Sequence, residues 1–184
     1  MKQTLLFLAA GAVILASCGK LGGLGNISQD INSSAEIALP GVPGYDTVLP
    51  GGVTAYAPAI DVQTNVQQTL KDNNTSSDKV TSVKLSKMSV SVIEPANEPF
   101  DYMDTINVYI AADGLEEKLM AHKNGVPKNL TTVDLDCNSD IEIKEYFLKP
   151  SLRIRFGGHF IEKPDASTRI KLDFTNKLTA NVLK

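Results

Sequence analysis

One segment near the end of the chain restricts the fold more than any other. Ile170, Leu172, Phe174, Leu178, Ala180 and Val182 fall on one side of an extended backbone. Arg169, Lys171, Asp173, Thr175, Lys177, Thr179 and Asn181 fall on the other. Successive side chains of a strand point to opposite faces, so this alternation predicts a strand with one dry and one wet face. A helix, repeating every 3.6 residues, would spread the apolar side chains around its whole surface and bury lysine with them. The preceding segment behaves alike, with Leu152, Ile154, Phe156 and Phe160 facing one way and Arg153, Arg155 and His159 the other. Antiparallel sheet packed on a core accommodates both.

Turn residues extend the pattern. Asp113-Gly114 supplies a two-residue turn between candidate strands 105–112 and 115–122. It predicts a hairpin with Val108 opposite Leu119 and Ile106 opposite Ala121. In "VTSVKLSKMSVSVI" the buried phase changes, from Val83 and Leu85 at odd positions to Met88, Val90 and Val92 at even ones. One extra residue near Ser86-Lys87 restores a single buried face, so a β-bulge is predicted there. Gly157-Gly158 is expected to bend its strand. Ser139-Asp140-Ile141-Glu142 reads as a capping box leading into Ile143, Tyr146, Phe147 and Leu148 and stopping before Pro150. Val62, Val66 and Leu70, spaced by four, predict a shorter helix. The expected fold is mainly β: an antiparallel β-sandwich of immunoglobulin-like architecture, with one or two short helices at the sheet ends. The paired cysteines around a tryptophan that mark true immunoglobulin domains are absent, since the chain has two Cys and no Trp.

The N-terminus carries a different message. Lys2 precedes an apolar run from Leu5 to Leu15, too short to span ~30 Å of hydrocarbon as a helix but suited to a signal peptide. The small residues Ala16 and Ser17 follow, and Leu15-Ala16-Ser17-Cys18 resembles the lipobox of bacterial lipoproteins. The resemblance implies that signal peptidase recognises Leu15, Ala16 and Ser17 and removes residues 1–17. It also implies a diacylglycerol on the Cys18 sulfur and an N-acyl chain on the new terminus; no other cofactor is expected. At ~0.8 kcal/mol per buried CH₂, two or three chains hold a protein stably on a membrane. Gly19 stands where aspartate would resemble an inner-membrane retention signal, which favours the outer membrane. Lys20-Leu21-Gly22-Gly23 has no acidic run resembling a surface-export signal, which favours the periplasmic leaflet.

Residues 18–33, rich in Gly, Ser and Asn, read as a flexible tether reaching about 20 Å, and residues 34–184 as a single β-sandwich domain. That domain is expected to open with a short strand at Ala35, Ile37 and Leu39, followed by an extended connection rich in proline turns. The blocks "NNTSSDKVTSVKL", "FDYMDTINVYIAADGL" and "IEIKEYFLKPSLRIR" resemble a group of small bacterial envelope lipoproteins. That resemblance supports one β domain and brings no activity or functional residue with it.

Charge narrows the partners. The chain's net charge is −3, and residues 1–17 hold one lysine and no acid, so their removal leaves −4. Such a balance argues against nucleic acid as a partner. Catalytic groups are sparse. Cys137, alternating with Val133 and Leu135, is expected to face the core as a small hydrophobe. His122 and His159 are the only histidines and are both expected on outward faces; His159-x-x-Glu162 lacks the second half of any zinc motif. Ser76-x-x-Lys79 matches a four-letter fragment of the penicillin-recognising motif, but it sits in a loop and lacks the partner motifs. Asp134, Asp136 and Asp140 only partly resemble a calcium loop, so no metal site is expected.

The sharpest surface expectation is basic. If the last two strands pair as neighbours, Arg153, Arg155, Arg169, Lys171 and Lys177 converge on one face that suits an anionic saccharide or an acidic envelope protein. The function expected is a non-enzymatic binding or structural module, lipid-anchored in the cell envelope. The alternative is a periplasmic carrier or chaperone holding a lipid or other hydrophobic ligand in a pocket between the sheets.

Overall fold

The computed structural model describes residues 25–39, 51–64, 66–72, 75–164 and 168–181. Its strands are β1 (Asn26–Ala38), β2 (Val53–Tyr56), β3 (Ile60–Gln63), β4 (Val80–Glu94), β5 (Met103–Ala112), β6 (Leu115–Asn124), β7 (Thr132–Asp134), β8 (Asp136–Cys137), β9 (Ser151–Phe160) and β10 (Arg169–Asn181). Two α-helices, α1 (Val66–Asp72) and α2 (Lys144–Phe147), and two 3-10 turns, Ser77–Lys79 and Phe100–Tyr102, complete the described framework.

The alternation that singles out β10 has a direct physical counterpart. Ile170, Leu172, Phe174, Leu178 and Ala180 are buried, while Lys177 on the other face is exposed. β10 lies between β1 and β4, antiparallel to both, in a four-stranded sheet ordered β1-β10-β4-β7. The second sheet runs β2-β9-β5-β6-β8, and β3 follows β2 along the same strand, β9. The two inner faces share one core in which Phe100, Phe156, Phe160, Met103 and Ile106 are at most 1% exposed. The antiparallel β-sandwich expected from the sequence is present. Val182, expected to continue the β10 face, lies outside the described residues.

Local expectations fared unevenly. The bulge falls where the phase change requires it: Lys87 faces Thr175 and Leu85 faces Asn176, leaving Ser86 unopposed. The 113–114 hairpin also forms, with Gly114 alone of the pair taking a positive φ of +77°. Its register is different. Val108 faces Ala121, Tyr109 faces Leu119 and Ile106 faces Lys123, with two register shifts along the ladder. Met120 and Ala121 are both buried, which strict alternation forbids, and the bulge that leaves Met120 unopposed between Leu119 and Ala121 lets both point inward.

The residues of the expected tether become strand from Asn26 onward, and the expected short first strand is thirteen residues long. Its pairing with β10 is uninterrupted from Asn26 to Ala38. Backbone hydrogen bonds along β10, with Ile27 and Ile31 packed against the core, suffice to order a polar sequence. The proline-rich connection expected after it lies outside the described residues.

The capping box is not made. The α-helix begins only at Lys144, because Glu142 is engaged elsewhere. Its carboxylate accepts hydrogen bonds from the Val83 backbone N–H (2.7 Å), the Ser82 hydroxyl (2.6 Å) and the Lys144 N–H (2.9 Å). Burial pushes this carboxyl up, but those three hydrogen bonds and the Lys84 charge outweigh it and hold it below the usual carboxylate range. The stabilisation is therefore complete above the unfolded-state pKa and is lost as pH falls through the lower folded-state value. Glu142→Gln should cost about 1 kcal/mol at neutral pH. Parallel urea melts of both proteins should show the difference vanishing in acid. Val62, placed in the α1 pattern by spacing, belongs instead to β3, opposite Leu152.

Gly157 and Gly158 do more than bend β9. They sit where β9 is flanked by β2 on one side and β5 on the other. A Cβ on Gly157 would lie 2.3 Å from the Ala55 carbonyl oxygen and 2.4 Å from the Tyr56 ring. One on Gly158, at φ +152°, would lie 2.0 Å from the Thr105 carbonyl oxygen.

Candidate functional site

The five basic residues expected to share a face do not meet. β9 and β10 are consecutive in sequence but belong to different sheets, so their outward side chains point away from opposite sides of the sandwich. Arg153 and Arg155 stand on one side; Arg169, Lys171 and Lys177 stand on the other. Four of the five are also neutralised locally. Arg153 lies 3.6 Å from Asp113, Arg169 bridges Glu36 (2.6 Å) and Glu94 (3.3 Å), and Lys171 lies 2.8 Å from Asp173. Arg155 donates through Nε (2.8 Å) and Nη2 to Glu117. No single positive field remains to attract an anion.

Arg155 has a further constraint. Its guanidinium lies 4.4 Å from the Tyr56 ring centroid and 4.7 Å from that of Tyr109, whose rings meet edge to face at 5.7 Å. The hydrogen bond to Tyr56, and then burial, push the Tyr109 phenol up. The absence of a side chain on Gly157 makes room for the Tyr56 ring. This stack braces β2, β5, β6 and β9 together; its charged atoms are already satisfied.

A concavity of about 850 Å³ lies elsewhere, over the β1-β10-β4 sheet, and no sequence expectation covers it. Its walls include Asn32, Lys87, Ser89, Asp134, Asp136 and Asp173. The strand alternation marks most of these as outward, but their assembly depends on the Ser86 bulge and on the chain's crossing between sheets at Leu135, which no local pattern encodes. One of the three carboxylates, Asp173, is already paired with Lys171, and with serine hydroxyls beside it the nearly neutral polar surface suits a hydrated, hydroxyl-rich partner. Asp136 also pairs with Lys123 at 3.4 Å. Asp134 and Asp140 are exposed, and among the described residues no group of three or more His, Cys, Asp or Glu side chains could hold a metal ion. Cys137, partly buried against the core as expected, borders the concavity. Burial pushes its thiol up, so it stays protonated and a poor nucleophile.

The remaining candidates have structural roles. His159 Nδ1 lies 2.8 Å from Asp104 and its Nε2 lies 3.0 Å from the Gly51 carbonyl, an arrangement that ties the start of β2 to β9. The Ser76 hydroxyl bonds Asp78 and lowers that carboxyl's pKa. Between the sheets, an apolar cavity bounded by Leu85, Met88, Met120, Phe147, Phe174 and Asn176 measures about 20 Å³. That is room for about one water molecule, far below the ~300 Å³ or more of ordinary ligand pockets.

Leu15, Ala16, Ser17 and Cys18 lie outside the described residues. Among the described residues, no helix is long and apolar enough to cross a membrane. The class defined here is therefore an antiparallel β-sandwich with a polar concavity on one sheet. The chain matches no family model and no curated protein. Similar solved structures include those of Desmodium yellow mottle tymovirus (11% identity, TM-score 0.25, covering 100% of this chain and 98% of that one) and turnip yellow mosaic virus (9%, 0.29, 95% and 93%). Superpositions this loose carry no functional argument.

Proposed function

We propose that the protein is a lipid-anchored lipoprotein of the bacterial cell envelope, whose β-sandwich acts as a non-enzymatic binding or structural module. One relation carries the reading: the lipobox-like Leu15-Ala16-Ser17-Cys18 ends only eight residues before β1 begins at Asn26. Eight residues span at most about 28 Å when extended. Acyl chains on Cys18 would therefore hold the sandwich close to the membrane rather than release it on a long leash, and raise its effective concentration toward anything else kept there. The outer membrane and its periplasmic leaflet are the proposed residence.

The polar concavity is the surface best suited to an envelope partner, and its paired charges and serine hydroxyls favour a neutral, hydroxyl-rich group. The carrier reading has no comparable support, because about 20 Å³ of interior space holds no acyl chain. Detergent phase separation of bacteria expressing the full chain tests the anchor. The native chain should enter the detergent phase and take up a fatty-acid label. Cys18→Ser should stay aqueous and unlabelled; equal partitioning of the two would refute the proposal.

A further inference from the structure

Among the described residues, the edge strands other than β1 are short or broken. β7 and β8, which close the far edges of the two sheets, have three and two residues. The β2–β3 edge is broken over residues 57–59, which include Pro58. β1 differs from all of them. It runs for thirteen residues with no Pro, Gly, Lys or Arg, its ladder to β10 has no register shift, and among the described residues no strand pairs with its other edge. A long, regular, unprotected edge is a template for adding another strand.

We propose that this edge pairs with the same edge of a second copy of the chain, antiparallel and about a two-fold axis, to give a continuous eight-stranded sheet. Alternate residues of an edge strand point their N–H and C=O groups outward. A two-fold therefore allows only registers in which a residue faces its own copy or one of like parity. Full overlap of Asn26–Ala38 centres the register on Asn32.

The side chains agree with that centre on both faces. On the core face, Ile27, only partly buried within one chain, meets Ile37 of the second copy. On the outer face, Asp30 meets Ser34 and Glu36 meets Ser28, so each carboxylate opposes a hydroxyl. Asn32 meets Asn32, and its amide nitrogen remains available because its oxygen already accepts from Thr175 at 2.8 Å. Moving the centre one residue to Ser33 would set Asp30 against Glu36, like charge on like charge.

The test is register-specific crosslinking of the full chain in detergent micelles, in a Cys137→Ser background. Asn32→Cys should form a disulfide-linked dimer above that background under mild oxidation, and Ser28→Cys alone should not. Ser28→Cys mixed with Glu36→Cys should crosslink as a heterodimer. Asn32→Lys, which sets two ammonium groups across the axis, should give the monomeric mass while circular dichroism shows the sandwich still folded. A monomeric mass for the parent chain overturns the proposal. So does a dimer in which Asn32→Cys fails to crosslink, or one in which Ser28→Cys crosslinks to itself equally well.

Discussion

Gly158→Ala is expected to destabilise the sandwich severely, by about 2–6 kcal/mol. At φ +152° an L-residue carries backbone strain of about 1–3 kcal/mol. The added methyl would also meet the Thr105 carbonyl oxygen at 2.0 Å, where the obstacle is backbone and not a side chain that can swing away. Relief requires β5 to move from β9, and β5 to β9 is one of the main ladders of the second sheet, eight residue pairs in length. Overpacking of that kind adds about 1–3 kcal/mol more, a large share of the 5–15 kcal/mol typical of a folded domain. Gly114→Ala supplies the control. It shares a positive φ of +77°, yet a Cβ there meets nothing within 4 Å, so the loss should stay near 1 kcal/mol. Thermal melts of the two variants should differ widely, and a Gly158→Ala protein melting with the parent would contradict the packing described.

Asn176→Leu should have the opposite sign and raise stability by about 1–3 kcal/mol. Asn176 occupies an inward position of β10, between Phe174 and Leu178, and is 1% exposed. Its Oδ1 is buried without a hydrogen-bond partner. Leucine has the same branched shape, removes the unsatisfied polar atom, and can extend into the neighbouring 20 Å³ cavity between Met88 and Met120, both flexible side chains. For a domain of this size the gain corresponds to about 2–4 °C per kcal/mol in melting temperature. A lower melting temperature would mean that the amide is satisfied in solution, for example by an internal water.

What the sequence made legible was whatever its local pattern records. The wet and dry faces of β9 and β10 follow from period-two alternation, and the Ser86 bulge follows from a change of phase within one strand. The hairpin register was illegible because its two shifts depend on Met120 and Ala121 both finding room in the core. β1 looked like tether because an edge strand can be held by backbone pairing, with few apolar side chains of its own. Glu142 fits the capping-box pattern, yet β4 offers it better donors in Val83 and Ser82 than the helix start does. The basic face failed for a topological reason. Residues 161–168 carry the chain from one sheet to the other, and no residue in that stretch announces whether its strands will be neighbours or opposite layers. The polar concavity was missed on the same ground, since its walls come from five separate strands and a crossing.

The functional account depends on attachment at Cys18, and the sandwich gives it scale. With β1 starting at Asn26, an acylated Cys18 would stand so few residues from the folded unit that any partner of the concavity would itself lie near the membrane. The intact mass of the protein purified from bacterial membranes tests this most directly. The account predicts a chain beginning at Cys18 and heavier than its polypeptide by a diacylglyceryl and an acyl group. A chain that keeps residues 1–17, or one that starts at Cys18 with no added lipid mass, would contradict it.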